Sequence, residues 1–69
     1  MSNDGYEVIR PEFDQGLNSL SVARALKDRN DIEGAKNKSK EAIRLFNHCD
    51  NHEAKQKANE AQQLLNSLG

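Results

Sequence analysis

The fold is decided by one stretch in the middle of the chain, Asp31-Ile-Glu-Gly-Ala-Lys-Asn-Lys-Ser-Lys-Glu-Ala-Ile-Arg-Leu-Phe46. Asp31 is a favourable N-cap, because its carboxylate can accept a free N–H of the first turn. Small and apolar side chains then recur every three or four residues, which is the helical period. They are Ala35, Ser39, Ala42, Ile43 and Phe46. A helix of this kind cannot bury its apolar face alone, so the stretch predicts packing against other helices.

The segment before this stretch also has a helical pattern. Pro11 suits the first turn of a helix, because its missing N–H would have no helical acceptor. Gly16 weakens the pattern by about 1 kcal/mol relative to Ala, so a start after Gly16 is the alternative. The run ends near Asn30. Its stripe is formed by Phe13, Leu17, Leu20 and Ala23 or Arg24.

The segment after the stretch predicts a third helix. Asp50 or Asn51 can cap it. Its apolar positions are Ala54, Ala58, Ala61, Leu64, Leu65 and Leu68. The sequence therefore predicts an all-α fold, a small three-helix bundle in residues 11–69. Residues 1–10 are predicted to be a flexible N-terminal arm.

The composition of the chain limits the classes of partner and the cellular setting that we expect. Ten basic and eleven acidic residues give a formal charge of −1, so there is no overall attraction to nucleic acid or to acidic membranes. Cys49 is the single cysteine, which excludes an internal disulfide and favours a reducing, cytoplasmic setting. No apolar run approaches the length of a membrane span. We expect no cofactor and no membrane partner.

The pattern resembles a tetratricopeptide repeat followed by a capping helix. Ala23, Ala35 and Ala42 match the three small-residue positions of that repeat, and Asn30-Asp31-Ile32 stands at its turn. Ser19, Ser39 and Asn47 depart from it, where an aromatic residue, a bulky residue and a proline are usual. The chain also resembles the three-helix microtubule-interacting and transport domain. The first resemblance implies a helical hairpin plus a third helix, and a ligand groove lined by Leu17, Leu20, Arg24, Lys27 and Asp28.

A basic line is the main candidate for ligand selection. Lys36, Lys40 and Arg44 recur every four residues and therefore lie on one side of the helix. The bland interpretation is a solvated helix face. The functional interpretation is an acidic protein or peptide partner. Nucleic acid bound by the same residues and Lys38 is less favoured, because no aromatic side chains alternate with the cations for base stacking.

The turn between the second and third helices is a weak candidate for a metal-binding or catalytic site. His48, Cys49 and His52 carry metal-capable side chains, with Asp50 or Glu53 as a fourth ligand, but the spacing is not that of a familiar zinc site. A thiol at the negative end of a helix dipole is poorly placed as a nucleophile. We expect no metal site and no enzyme.

The functional prediction is therefore a non-catalytic module that binds a protein or peptide, as an adaptor or a small inhibitor. Its predicted partner-binding residues are Leu17, Leu20, Arg24, Lys27, Lys36, Lys40 and Arg44. For the two leucines, simple core packing is the competing interpretation. Self-association is another alternative, because Leu64, Leu65 and Leu68 exceed what one narrow helix seam requires.

Overall fold

Three α-helices make up the part of the chain that the computed structural model describes, residues 11–69. They are α1 (Pro11–Asp28), α2 (Ile32–Asn47) and α3 (His52–Leu68). The prediction of an all-α three-helix bundle is confirmed. None of the three helices combines the length and the apolar character that crossing a lipid bilayer requires. The predicted arm, residues 1–10, lies outside the described residues.

The turn between α1 and α2 contains the C-terminal cap of α1 and the N-terminal cap of α2. Asn30 adopts a left-handed conformation with a φ of 67°, and its N–H donates to the Lys27 carbonyl at 2.9 Å. The next N–H, that of Asp31, donates to the Leu26 carbonyl at 2.8 Å, which completes a Schellman motif. The Asp31 carboxylate in turn accepts the Gly34 N–H at 3.2 Å. The predicted N-cap of α2 is therefore confirmed.

In the turn between α2 and α3, the N-cap of α3 is Asn51 rather than Asp50. The Asn51 side-chain oxygen accepts the N–H of Ala54 at 2.7 Å, so one free donor of the first turn of α3 is satisfied. The Cys49 N–H donates to the Phe46 carbonyl at 3.0 Å and tightens the end of α2. Both predicted helix boundaries in this region are confirmed to within a residue.

The core lies between α2 and the other two helices. Helix α2 packs against both α1 and α3, whereas α1 and α3 meet over a much smaller area. Small residues dominate the buried set, so the helices can approach closely, while Leu20 and Phe46 supply most of the buried bulk. The core cluster consists of Leu20, Ala42, Phe46, Cys49, Ala54 and Ala61.

Helix α1 buries a face that coincides only partly with its predicted apolar stripe. Its buried residues are Gly16, Ser19, Leu20 and Ala23, of which Leu20 and Ala23 belong to that stripe. Phe13 and the other half of the predicted stripe pack only at the edge of the core. The helix runs through Gly16 without interruption, so the alternative start after Gly16 is wrong. Gly16 is needed in α1 because the ring of Phe46 on α2 lies directly against it.

Candidate functional site

The predicted partner-binding residues separate into three groups in the structure. Two leucines of α1 contribute to the core or its edge. Two basic residues lie on α1 outside the core. Three basic residues lie along the side of α2 that faces away from the buried seam. The groups are Leu17 and Leu20; Arg24 and Lys27; and Lys36, Lys40 and Arg44.

The two leucines have different surroundings. Leu20 is 3 % exposed and belongs to the core cluster, so core packing is its role and a partner cannot reach it in this conformation. Leu17 is half-buried and packs against the same cluster. An exposed apolar groove built from this pair is therefore not present among residues 11–69.

Arg24 is engaged within the molecule. Its guanidinium lies 3.2 Å from the carboxylate of Glu60 on α3, and the same carboxylate group lies 3.5 Å from the Lys57 ammonium. This network crosses from α1 to α3 where the two helices have little other contact. Because its side chains remain largely exposed, it contributes at most about 1 kcal/mol to stability. Lys27 is exposed in the last turn of α1, where a cation is favourable at the negative end of the helix dipole.

The outward face of α2 is the clearest surface feature, and we define it by Asn37, Lys40, Glu41 and Arg44. These four residues line an open depression of about 420 Å³. Lys40 and Arg44 are exposed, while Lys36 is half-buried one turn earlier on the same side of the helix. Of the three cations that the sequence pattern placed on one line, Lys40 and Arg44 line the depression and Lys36 does not.

The three cations of the line form no ion pair within residues 11–69. The ion pairs of that part of the chain involve Arg24, Lys38 and Lys57. The one carboxylate in the depression, that of Glu41, lies 3.1 Å from the Lys38 ammonium. With two cations and one carboxylate in its lining, the depression has a net positive charge.

A second depression lies at the opposite end of the bundle from the turn between α1 and α2. It has a volume of about 500 Å³ and is lined by Phe13, Asn51, His52 and Glu53. Asn51 is already committed to capping α3. The two charged or titratable side chains belong to the exposed first turn of α3, and this surface has no consistent charge.

The residues of the second turn whose side chains could bind a metal lie in different environments. Cys49 is buried, and its thiol donates to the Leu45 carbonyl at 3.6 Å. His48 and His52 are exposed, and the His52 ring contacts the Gln56 amide at 3.2 Å. Across residues 11–69, no group of three His, Cys, Asp or Glu side chains is arranged to hold a metal ion.

Sequence reasoning missed three residues that shape these surfaces. Asn37 lines the depression of α2, and its position three residues before Lys40 was a signal that could have found it. Glu41 lines the same depression, and its pairing with Lys38 follows from their spacing of three. Glu60 had no local signal, because it meets Arg24 only through the packing of α3 beside α1.

No protein-family model, curated protein or solved structure matches this chain.

Proposed function

We propose that this protein is a non-catalytic module that binds another protein or a peptide through the outward face of α2. The observation that carries the proposal is the line of Lys36, Lys40 and Arg44, none of which forms an ion pair among residues 11–69. Like charges four residues apart lower helix stability by roughly 0.2–0.5 kcal/mol per pair. A carboxylate at the middle position would remove both repulsions, so the line is unfavourable for the isolated fold and favourable for an anionic partner.

The arrangement suits an adaptor or a small inhibitor. Helix α2 packs against α1 on one side and α3 on another, so the backbone of its third side is already ordered before binding. The positive charge of Lys36, Lys40 and Arg44 favours a partner surface of opposite charge. A non-catalytic role is supported by Cys49, because its thiol is buried and donates a hydrogen bond to the Leu45 carbonyl instead of facing a substrate.

Self-assembly is the second candidate function, and a specific observation favours it. Leu65 and Leu68 of α3 are only half-buried, and neither belongs to the core cluster or to the apolar residues packed against it. A second copy could cover them. Self-assembly predicts a melting temperature that rises with protein concentration, because association stabilises the folded state by mass action.

Affinity capture from a lysate of the source cells tests the principal proposal. The wild-type protein and two single variants, Lys40→Glu and Lys55→Glu, are immobilised and exposed to nuclease-treated lysate. Lys55 is a matched control, because it is also an exposed helical lysine without an ion pair among residues 11–69. We expect one discrete protein to be retained by the wild type and by Lys55→Glu, and to be lost with Lys40→Glu.

Two outcomes contradict the proposal. Retention from a parallel untreated lysate that is absent from the nuclease-treated lysate moves the function to nucleic-acid binding by the same cations, and a steep loss with salt is its signature. Equal retention by both charge variants removes α2 from the interaction. The proposal includes a cytoplasmic setting, which the single free cysteine supports.

A further inference from the structure

Helix α3 buries little apolar surface against the rest of the bundle. Its two fully buried residues are alanines, Ala54 and Ala61. The three leucines of its last turns, Leu64, Leu65 and Leu68, are only half-buried. Because a buried methyl group stabilises a fold less than a buried leucine or phenylalanine side chain does, α3 gains less from packing than its length suggests.

Helices α1 and α2 are packed more extensively. Helix α2 has a larger interface with α1 than with α3, and α1 and α3 meet over a small area. Gly16 of α1 lies directly against the ring of Phe46, and Phe13 of α1 meets the same ring with centroids 5.6 Å apart. The turn at Asn30 joins the two helices through a left-handed residue. These contacts are made without α3.

The ion pair that joins α1 to α3 is weak. The Arg24 guanidinium lies 3.2 Å from the Glu60 carboxylate, and the two side chains are 57 % and 41 % exposed. Exposed pairs of this kind contribute little to stability and are screened by salt. The pair therefore gives little resistance to separation of the two helices.

We propose that α3 is a lid, which opens as one unit about residues 48–51 while α1 and α2 stay packed. Local opening occurs where few apolar side chains are buried. The released segment loses most of its helical structure, because helices in proteins are stabilised mainly by tertiary packing. Opening removes Ala54 and Ala61 from the core cluster and exposes part of Leu20 and Phe46, which share that cluster. The inference is independent of the function proposed above, which uses the outward face of α2.

Native-state hydrogen exchange tests the lid. Exchange is followed residue by residue by NMR at several low urea concentrations, for the wild type, Leu64→Ala in α3 and Asn30→Val in the turn between α1 and α2. Circular dichroism verifies that each variant is folded. Glu60→Gln, which removes only exposed ion pairs of α3, replaces Leu64→Ala if that variant does not fold.

For the wild type, we expect the slowest amides of α3 to exchange at least about tenfold faster than the slowest amides of α1 and α2, after correction for intrinsic exchange rates. Exchange in α3 should also depend less on urea. The response to urea scales with the surface that becomes exposed, and the opening of one helix exposes less surface than global unfolding. Equal rates and equal urea dependence in the three helices overturn the inference.

The two variants distinguish opening of the lid from global unfolding. The open state keeps the turn at Asn30 but has lost the packing of Leu64. Leu64→Ala should therefore accelerate exchange in all three helices by a similar factor of about tenfold, and Glu60→Gln by a smaller common factor. Asn30→Val should accelerate α1 and α2 by about tenfold and α3 by less than about threefold. Equal acceleration of all three helices by Asn30→Val overturns the inference.

Discussion

Gly16 of α1 lies directly against the ring of Phe46 of α2. A methyl group built on Gly16 would stand 2.7 Å from Cε1 of Phe46 and 2.9 Å from Cδ1, closer than unbonded carbon atoms approach. The ring is fully buried and also meets Phe13 edge-on. The glycine that weakens α1 as an isolated helix is therefore the residue that allows α1 and α2 to pack.

Gly16→Ala tests this relationship. Helix propensity alone predicts a gain of about 1 kcal/mol. Overpacking against a ring that cannot move freely predicts a loss of about 1–3 kcal/mol. We expect a net decrease in the free energy of unfolding, measured by urea denaturation. In the double variant Gly16→Ala/Phe46→Leu, the decrease in the free energy of unfolding should be smaller than the sum of the decreases in the two single variants. Strict additivity of the two substitutions would contradict the close contact.

Ser39 carries a buried hydroxyl that lacks a hydrogen-bond partner among residues 11–69. The residue is fully buried in α2. Removing an unsatisfied buried polar group relieves a penalty of about 1–3 kcal/mol, part of which is offset by lost packing contacts. Ser39→Ala should therefore raise the free energy of unfolding by about 1 kcal/mol. Ser39→Val, which adds volume at the same site, should lower it; if Ser39→Ala were destabilising, the hydroxyl would have to be satisfied.

Asn30 occupies a backbone conformation that glycine adopts more readily, with a φ of 67°. Asn30→Gly removes the steric penalty at the Schellman motif, and we expect stabilisation of about 0.5 kcal/mol. Asn30→Val places a β-branched side chain at positive φ and should destabilise the fold by about 1–2 kcal/mol. The thermal midpoints of the two variants should shift in opposite directions. A shift of the same sign in both would contradict the left-handed turn.

Lys40→Glu should stabilise the isolated fold while it removes partner binding. The substitution replaces two like-charge pairs, with Lys36 and with Arg44, by two pairs of opposite charge. Each pair changes by roughly 0.4–1 kcal/mol when repulsion becomes attraction. We expect a higher urea midpoint at low salt and a smaller difference at high salt, because exposed charges are screened. A lower midpoint would show that Lys40 has a structural role.

The sequence predicted the helices well because caps and period are local signals. Asp31 marks the start of α2, and Ala35, Ser39, Ala42 and Phe46 are buried where the period places them. The buried face of α1 could not be found in the same way. Gly16 and Ser19 carry no hydrophobic signal, although both are buried. The burial of Gly16 follows from the ring of Phe46, which lies thirty residues further along the chain.

In the candidate site, too, the features set by local helical spacing were predictable and those set by tertiary packing were not. The basic row of α2 was predictable, because residues four apart on a helix share a side whatever the tertiary structure is. The roles of the α1 residues were not. Leu20 is buried in a core cluster to which both α2 and α3 contribute, and Arg24 meets Glu60 of α3, so both outcomes depend on how the helices pack. The resemblance to a tetratricopeptide repeat stays a prediction.

The central claim is that the outward face of α2 contacts the partner. Chemical-shift mapping of the isotope-labelled protein with the protein captured from lysate tests it most directly, since backbone amides report contact residue by residue. The claim predicts that the largest shifts fall on Asn37, Lys40, Glu41 and Arg44, with little change at Leu17 or Leu64. Shifts concentrated between α1 and α3, around Leu17, Arg24 and Leu64, would contradict it.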